Sequence, residues 1–359
     1  MQRLYYDLLL CNPSANTINQ MPDNSETIRI TFDQMKSVFA GILNKSGFTT
    51  AKAEKCAEIF SVNSLEGVYS HGVNRFPRFV GNVLDGYVKP DVEPELIRAT
   101  GSLEQWDGKL GPGPLNALFC ADRSMELATR FGLGLAALAN TNHWQRGGTY
   151  GWHAARKGYI MLCWTNTEAN MPAWGAEDVR VGNNPFVIAV PFQKEAIVLD
   201  FAMTQFSYGK METLRREGKR LPYNGGFNAL GELTNDPAEI LATRRALSIG
   251  FWKGSGLSLL LDILAAVLSG GLSTHEITRS KTEYSVSQVF ISISPVSLYN
   301  YSSIEKSVYQ IINDLKSSRP VNNETKIRYP GENIIKIRQE NLKSGIPVNK
   351  KLWDEILSL

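Results

Sequence analysis

The chain has 359 residues, above the size at which one hydrophobic core usually stops growing, so one large or two closely joined domains are expected. Apolar residues make up 43% and charged residues 20%, a balance that excludes a disordered chain. The formal net charge of +3, with Lys and Arg scattered, argues against a nucleic-acid partner. No apolar run approaches a membrane-spanning length, because the longest, near Leu257 to Leu268, is interrupted by Ser258 and Asp262.

In chain order, the first stretch is "LYYDLLLC", a weak apolar patch with Asp7 inside it, followed by the polar run Asn12 to Glu26. It lacks the clean apolar core and small-residue cleavage site of a signal peptide. Residues 1 to 27 therefore read as an appendage outside the fold. Order is expected near Thr31, which with Gln34 makes a capping-box pattern ahead of Phe32, Met35, Phe39, Ile42 and Leu43 at helical spacing. Gly47 ends that helix. A second helix is predicted over Thr50 to Leu65, with Ala53, Cys56, Ala57 and Phe60 on one face, and a third over Leu115 to Arg130. Between them lies the loop "VYSHGVNRF". The apolar runs "LGLAALAN", "YIMLCWTN", "FVIAVP" and "AIVLDFA", bounded by Gly, Pro and Asn, predict buried strands. A helix from Ser255 to Leu268, a strand from Val286 to Ile293 and a helix from Ile304 to Leu315 complete the pattern. Helix and strand mix without a βαβ rhythm. The cysteines Cys11, Cys56, Cys120 and Cys163 stand far apart with no CxxC pair, which suits reduced thiols in a cytoplasm.

Several segments could carry chemistry. Gly132, Gly134 and Ala137 fit the dinucleotide pattern G-x-G-x-x-A, but they follow a helix and enter a strand, the reverse of the nucleotide-binding order. A helix-ending glycine followed by a strand is the better account. In "FWKGSGLS", Lys253 precedes Gly254 and Gly256 at a helix start, where free N–H groups and the helix dipole favour an anion. An ordinary helix start capped by Ser255 explains the same residues equally well. Trp252 could cover a nicotinamide or adenine ring, or belong to the core. Asp200 ends an apolar strand, where a carboxylate can accept from a ribose diol and repel a 2′-phosphate. A strand-end Asp capping a turn is the commoner arrangement.

The histidines are His71, His143, His153 and His275, and none shows the spacing of a metal site. His71 and His143 lie in Gly-rich polar loops, where function often resides, although a single loop histidine is more often structural. Arg75 follows His71 by four residues, a spacing that faces the two side chains the same way on a helical turn. A guanidinium gripping a carboxylate while an imidazolium protonates a developing alkoxide suits reduction of a 2-oxo acid. Pairing of Arg75 with Glu66 is the structural alternative. A serine hydrolase is disfavoured by the absence of G-x-S-x-G, and a ligand-binding module without turnover remains a third possibility.

The segment "GVYSHGVNRFPRF", Gly67 to Phe79, resembles the signature of the malate/L-lactate dehydrogenase-like reductase family. The likeness continues through "EQWDG", "NHWQRGGTYGW", "KGYIMLCWTN", "MPAWGA", "FSYGKME", "LPYNGGF", "GFWKGSGLS" and "YPGE", collinear over nearly all of Ile28 to Leu359. The resemblance implies an α/β fold that is not of the Rossmann type, with a central mixed sheet and helical N- and C-terminal parts. Residues 28–130 with 256–359 would form the helix-rich substrate and dimerisation part, and 131–255 the cofactor-binding sheet. It implies NADH-dependent reduction of a small 2-oxo acid by a homodimer. The alternatives are another 2-oxo acid of the malate, lactate or ureidoglycolate type, or a cyclic imino acid. It also implies roles: His71 as proton donor; Ser70, Arg75 and His143 around the substrate; and Ala196, Ile197, Val198, Leu199, Asp200, Phe201 and Ala202, then Trp252 and Lys253, then Gly331, Glu332 and Asn333, against the cofactor. After "PGE" the chain departs from the family pattern at Asn333-Ile334. Residues 1 to 27 have no counterpart in the family, as they would not if translation started nearer the first helix.

Overall fold

The computed structural model describes residues 27–280, 282–323 and 325–359. The proposed appendage up to residue 26, Cys11 included, lies outside the described residues. Thr27 belongs to the fold: strand β1 (Thr27–Ile30) precedes helices α1 (Phe32–Lys45), α2 (Thr50–Leu65) and α3 (Phe76–Leu84). Strands β2 (Glu95–Thr100) and β3 (Leu103–Asp107) lead to α4 (Gly113–Phe131), β4 (Leu133–Thr141) and α5 (Gly148–Arg156). Next come β5 (Ile160–Thr165), β6 (Ala169–Pro172), β7 (Val179–Gly182), β8 (Phe186–Phe192) and β9 (Glu195–Phe201). Then follow α6 (Tyr208–Arg216), β10 (Gly226–Phe227), β11 (Leu233–Thr234), α7 (Pro237–Thr243), α8 (Trp252–Ser269) and α9 (Thr274–Ile277). The chain ends with β12 (Val286–Ile293), α10 (Tyr301–Lys316), α11 (Glu332–Ser344), β13 (Ile346–Asn349) and α12 (Lys350–Leu357).

Local chemistry sets several boundaries. The Thr31 hydroxyl accepts from the Gln34 N–H, which caps α1. Gly132 ends α4 in the left-handed region, φ 83°. Gly134 lies so close to α4 that a Cβ there would stand 2.2 Å from the Ser124 carbonyl oxygen. Both glycines of the apparent dinucleotide pattern are thus accounted for by helix ending and helix-to-strand packing.

Seven strands form one sheet in the order β2-β3-β4-β12-β5-β8-β9. Only β3 and β4 run parallel; the other neighbours are antiparallel. The four apolar runs are β4, β5, β8 and β9, as their Gly, Pro and Asn boundaries predict. The division at residue 255 needs correcting. β12 sits at the centre of the sheet between β4 and β5, with Val289 and Phe290 fully buried, because its apolar run can satisfy its backbone and both faces only there. α8 packs on the same sheet through Leu261 and Ala265. Two strands from the N-terminal part, β2 and β3, extend the other edge.

The helical unit is assembled from both chain ends. β1 pairs with β13, Thr27 opposite Asn349 and Ile30 opposite Ile346. Met35, Phe39 and Leu43 of α1, Phe60 of α2 and Phe76 of α3 bury against Val348, Trp353 and Ile356. Phe39 and Phe76 stack at 3.9 Å between ring centroids.

α8 begins three residues earlier than expected, at Trp252, and its 18 residues are long and apolar enough to cross a membrane by length and composition alone; a third are buried. The interrupting Asp262 accepts from Asn166 Nδ2 and from the Thr274 N–H, so it joins this helix to the protein interior. Phe39→Ala should cost about 3–5 kcal/mol, the range for truncating a buried aromatic, read as a lower denaturant midpoint at unchanged slope.

Candidate active site

His71 and Arg75 are held on two short 3-10 turns, Tyr69–His71 and Val73–Arg75, joined at Gly72. The end of α2 fixes this loop. Asn63 Nδ2 donates to the His71 carbonyl at 2.9 Å, and the Val73 N–H donates to Ser64 Oγ at 2.8 Å. A Cβ on Gly72 would fall 2.2 Å from Ser64 Oγ, so only glycine lets the loop approach the helix this closely. Ser70 Oγ lies 3.0 Å from His71 Nδ1, which leaves Nε2 as the nitrogen able to carry a proton to a ligand.

The loop after β4 brings His143 to the same place. Asn142 Nδ2 donates to the carbonyls of Tyr87, Leu110 and Gly111 and pins the loop. The His71 and His143 rings lie 5.9 Å apart and nearly parallel, at 17°. The Gln145 N–H donates to His143 Nδ1 at 3.0 Å, so a neutral His143 carries its proton on Nε2. Ser70, His71 and His143 are thus brought side by side, and Arg75 shares a pocket wall with His143. A narrow pocket beside them is lined by Arg75, Arg78, Asn82, His143, Gln145 and Glu283, with Phe79 and Val88. Arg78, Gln145 and Glu283 escaped the sequence reading. Gln145 lay inside a quoted motif, but Glu283 carried no local signal.

Burial, then the charges of Arg75 and Arg146, lower the His71 pKa to about 4. His143 is pushed well below its ordinary value by burial, Arg75 and His71. Both shifts favour the neutral rings in the absence of a ligand. Two cationic guanidinium groups and little water make a second positive charge costly.

Arg75 does not pair with Glu66. Glu66 lies almost fully buried and accepts instead from Arg146 and from Arg338, the latter at 3.0 Å. Among the described residues Arg75 makes no ion pair. Arg338 also reaches Glu195 at 3.0 Å, Arg156 meets Glu195 at 3.1 Å, and the Trp152 ring lies under both guanidinium groups. Arg146 Nε stands 3.8 Å from Asp200 Oδ2. One ionic network therefore ties the end of α2 to β9 and α11.

The segments expected at the cofactor gather around β9, an edge strand of the sheet. The Val198 N–H donates to the Pro330 carbonyl at 3.2 Å, which lays Gly331–Asn333 beside Ala196–Val198. A Cβ on Gly331, at φ 88°, would stand 3.0 Å from the Trp152 ring. Beyond β9, the Gln205 and Ile249 N–H groups bond to the carbonyls of Leu247 and Met203, bringing the start of α8 alongside. Trp252 is exposed there. Ser255 is not the cap: Phe251 is, at φ 59°, and it gives no side-chain bond, while Ser255 Oγ accepts from the Trp174 N–H. The first turn of α8, with exposed Lys253, is thus uncapped and suits an anion. Asp200 accepts the Gly148 N–H at 2.8 Å, capping α5 with one oxygen. The edge-strand side chains, the Gly331 cradle and the uncapped helix end fit an extended dinucleotide.

Residues 30–357 match the malate/L-lactate dehydrogenase family. The chain belongs to that family. It is 42% identical over 333 residues to the 2,3-diketo-L-gulonate reductase of Citrobacter koseri, spanning 92% of this chain and 100% of that protein. The enzyme of the same name from Escherichia coli is 43% identical over the same extent. Among solved structures, malate dehydrogenase from Pyrococcus horikoshii aligns over 94% of this chain and 96% of its own, with a TM-score of 0.84 at 27% identity. Malate dehydrogenase from Entamoeba histolytica, at 24% identity, shares the fold with a TM-score of 0.88 over 93% of this chain and 98% of its own. As a malate/L-lactate dehydrogenase family member, the chain is an oxidoreductase acting on a small molecule, and the family points to a nicotinamide cofactor.

Glu66→Gln should destabilise the protein by about 3–5 kcal/mol in chemical denaturation, since it leaves the Arg146 and Arg338 charges buried without their carboxylate.

Proposed function

We propose that this malate/L-lactate dehydrogenase family member reduces the 2-keto group of a small 2-oxo acid with NADH, and that its substrate is 2,3-diketo-L-gulonate, giving 3-keto-L-gulonate. The observation that carries this reading is the His71 ring lying against His143, beside a pocket that His143 and an unpaired Arg75 line together. The likeness in name and extent of the Citrobacter koseri and Escherichia coli relatives supports the substrate. Oxidation of NADH and NADPH, followed against a panel of 2-oxo acids that includes 2,3-diketo-L-gulonate, tests it directly.

The bound cofactor supplies hydride to the keto carbon. Arg75 holds the substrate carboxylate through two parallel N–H bonds and so aims the adjacent keto oxygen at His71 and His143. His143 donates from Nε2 and polarises the carbonyl. His71 delivers the proton that the developing alkoxide takes up. After burial, the charge of Arg75 is the next cause that lowers the His71 pKa, so a carboxylate beside Arg75 offsets that part and raises the pKa. Ala196 to Ala202, Trp252, Lys253 and Gly331 to Asn333 hold the cofactor, with Lys253 at the phosphates. The free oxygen of Asp200 accepts from the ribose diol.

A homodimer is part of this reading. Its support is the exposed apolar row Leu259, Leu260, Ile263, Leu264 and Val267 on α8. A cytoplasmic setting is supported by Cys56, Cys120 and Cys163, which are buried and unpaired.

His71→Ala should lower kcat by about a hundred- to ten-thousand-fold while NADH still binds, as fluorescence titration would report. In the wild type, reduction needs the protonated ring and should decline as pH rises. The declining limb of kcat, which reports the substrate complex, should lie at higher pH than that of kcat/KM; coincident limbs would remove the substrate-driven shift. NADH should be preferred over NADPH, and Asp200→Asn should narrow the ratio of their kcat/KM values. Arg75→Lys should damage kcat as well as KM despite keeping the charge, because an ammonium lacks the planar fork. Equal turnover of a 2-oxo acid and its methyl ester by the wild type would show that Arg75 does not read a carboxylate.

A further inference from the structure

Two acceptors in the pocket have no part in the hydride and proton transfers. Gln145 is 3% exposed and sits at φ 66°, in the left-handed region that a non-glycine residue seldom occupies. Its N–H serves His143 Nδ1 and its Nε2 donates to the His143 carbonyl at 3.3 Å. Its Oε1 has no hydrogen-bond partner, although the atom is buried. A buried amide oxygen without a donor is uncommon, and a strained backbone that holds one at a pocket wall suits a site that a ligand completes.

Glu283 lines the same pocket from a different part of the chain. Its Oε2 accepts the Glu168 N–H at 3.1 Å, which orients the carboxylate. Among the described residues it makes no ion pair, although Arg75 and Arg78 act on it through their charge. Gln145 Oε1 lacks a donor, and the Glu283 carboxylate has capacity to accept a further one, so a ligand hydroxyl would suit both.

Three kinds of substrate tail can be distinguished on this chemistry. An alkyl tail would leave Gln145 Oε1 unsatisfied. A second carboxylate would face the charge of Glu283. A hydroxylated tail supplies the missing donors. We propose that Gln145 and Glu283 form a hydroxyl-reading subsite for the carbons beyond the keto group, which selects polyhydroxylated 2-oxo acids over those with alkyl or carboxylate tails. The inference rests on the reductase function proposed above and assigns its tail specificity to two residues.

The test compares kcat/KM for 2,3-diketo-L-gulonate, 2-oxohexanoate and oxaloacetate in the wild type, Glu283→Gln and Gln145→Met, with NADH saturating. The wild type should favour the hydroxylated substrate about tenfold or more over each of the others. Each variant should shrink the preference over 2-oxohexanoate about tenfold, chiefly through KM. Glu283→Gln should in addition improve oxaloacetate relative to 2-oxohexanoate. Should Gln145→Met fail to fold, the near-isosteric Glu283→Gln carries the test. Parallel losses on all substrates would overturn the subsite and make the two residues supports of the pocket. Equal wild-type turnover of all three would overturn it too, while leaving the reductase reading intact. No NADH oxidation with any of them would bring down both together.

Discussion

The buried carboxylate of Glu66 is the constraint around which the site is arranged. It ends the α2 segment whose Asn63 and Ser64 position the His71 loop, and it meets Arg146 from the β4 loop and Arg338 from α11. Taking these charges from water is favourable only when every partner is in place. The network therefore favours one mutual placement of the three segments, and the His71 loop is tied to it through Asn63 and Ser64. Through Arg338 and Glu195, and through Arg146 and Asp200, the same network reaches the edge strand β9. The two halves of the candidate active site are thus coupled by electrostatics as well as by apolar packing.

This arrangement leaves Arg75 and Arg78 at the pocket without an ion pair among the described residues. Arg146 is occupied, whereas Arg75 stands at the pocket with its charge uncommitted. Burial first, and then the charge of Arg75, push both imidazoles toward the neutral form. On the proposed reading, proton delivery and carboxylate binding would be linked, because Arg75 would bind the substrate and also acts on the His71 pKa.

The fold provides the rigidity these contacts need. Closing β1 against β13 joins the chain ends into one helical unit, and inserting β12 between β4 and β5 ties the late part of the chain into the sheet. Loops that carry His71, His143 and Glu283 emerge from separate elements but are anchored by buried side-chain bonds to backbone carbonyls and N–H groups, such as those of Asn142 and Glu283. Few freely hinged groups remain at the pocket wall.

By itself the sequence determined the local elements and the chemical vocabulary. Helical spacing of apolar residues marked α1 and α2, and short apolar runs bounded by Gly, Pro and Asn marked β4, β5, β8 and β9, since the side chains that decide helix or strand are near neighbours in the chain. Gly132 announced a helix end for the same reason, and the polar, Gly-rich loops marked His71, Arg75 and His143. The tertiary structure alone decided the rest. It put β12 at the centre of the sheet, gave Glu66 to Arg146 and Arg338 instead of Arg75, moved the start of α8 to Trp252, and set Gln145 and Glu283 against one pocket. Pairings across the chain, and the loss of water that leaves His71 neutral, depend on which surfaces meet. No window of neighbouring residues contains that information.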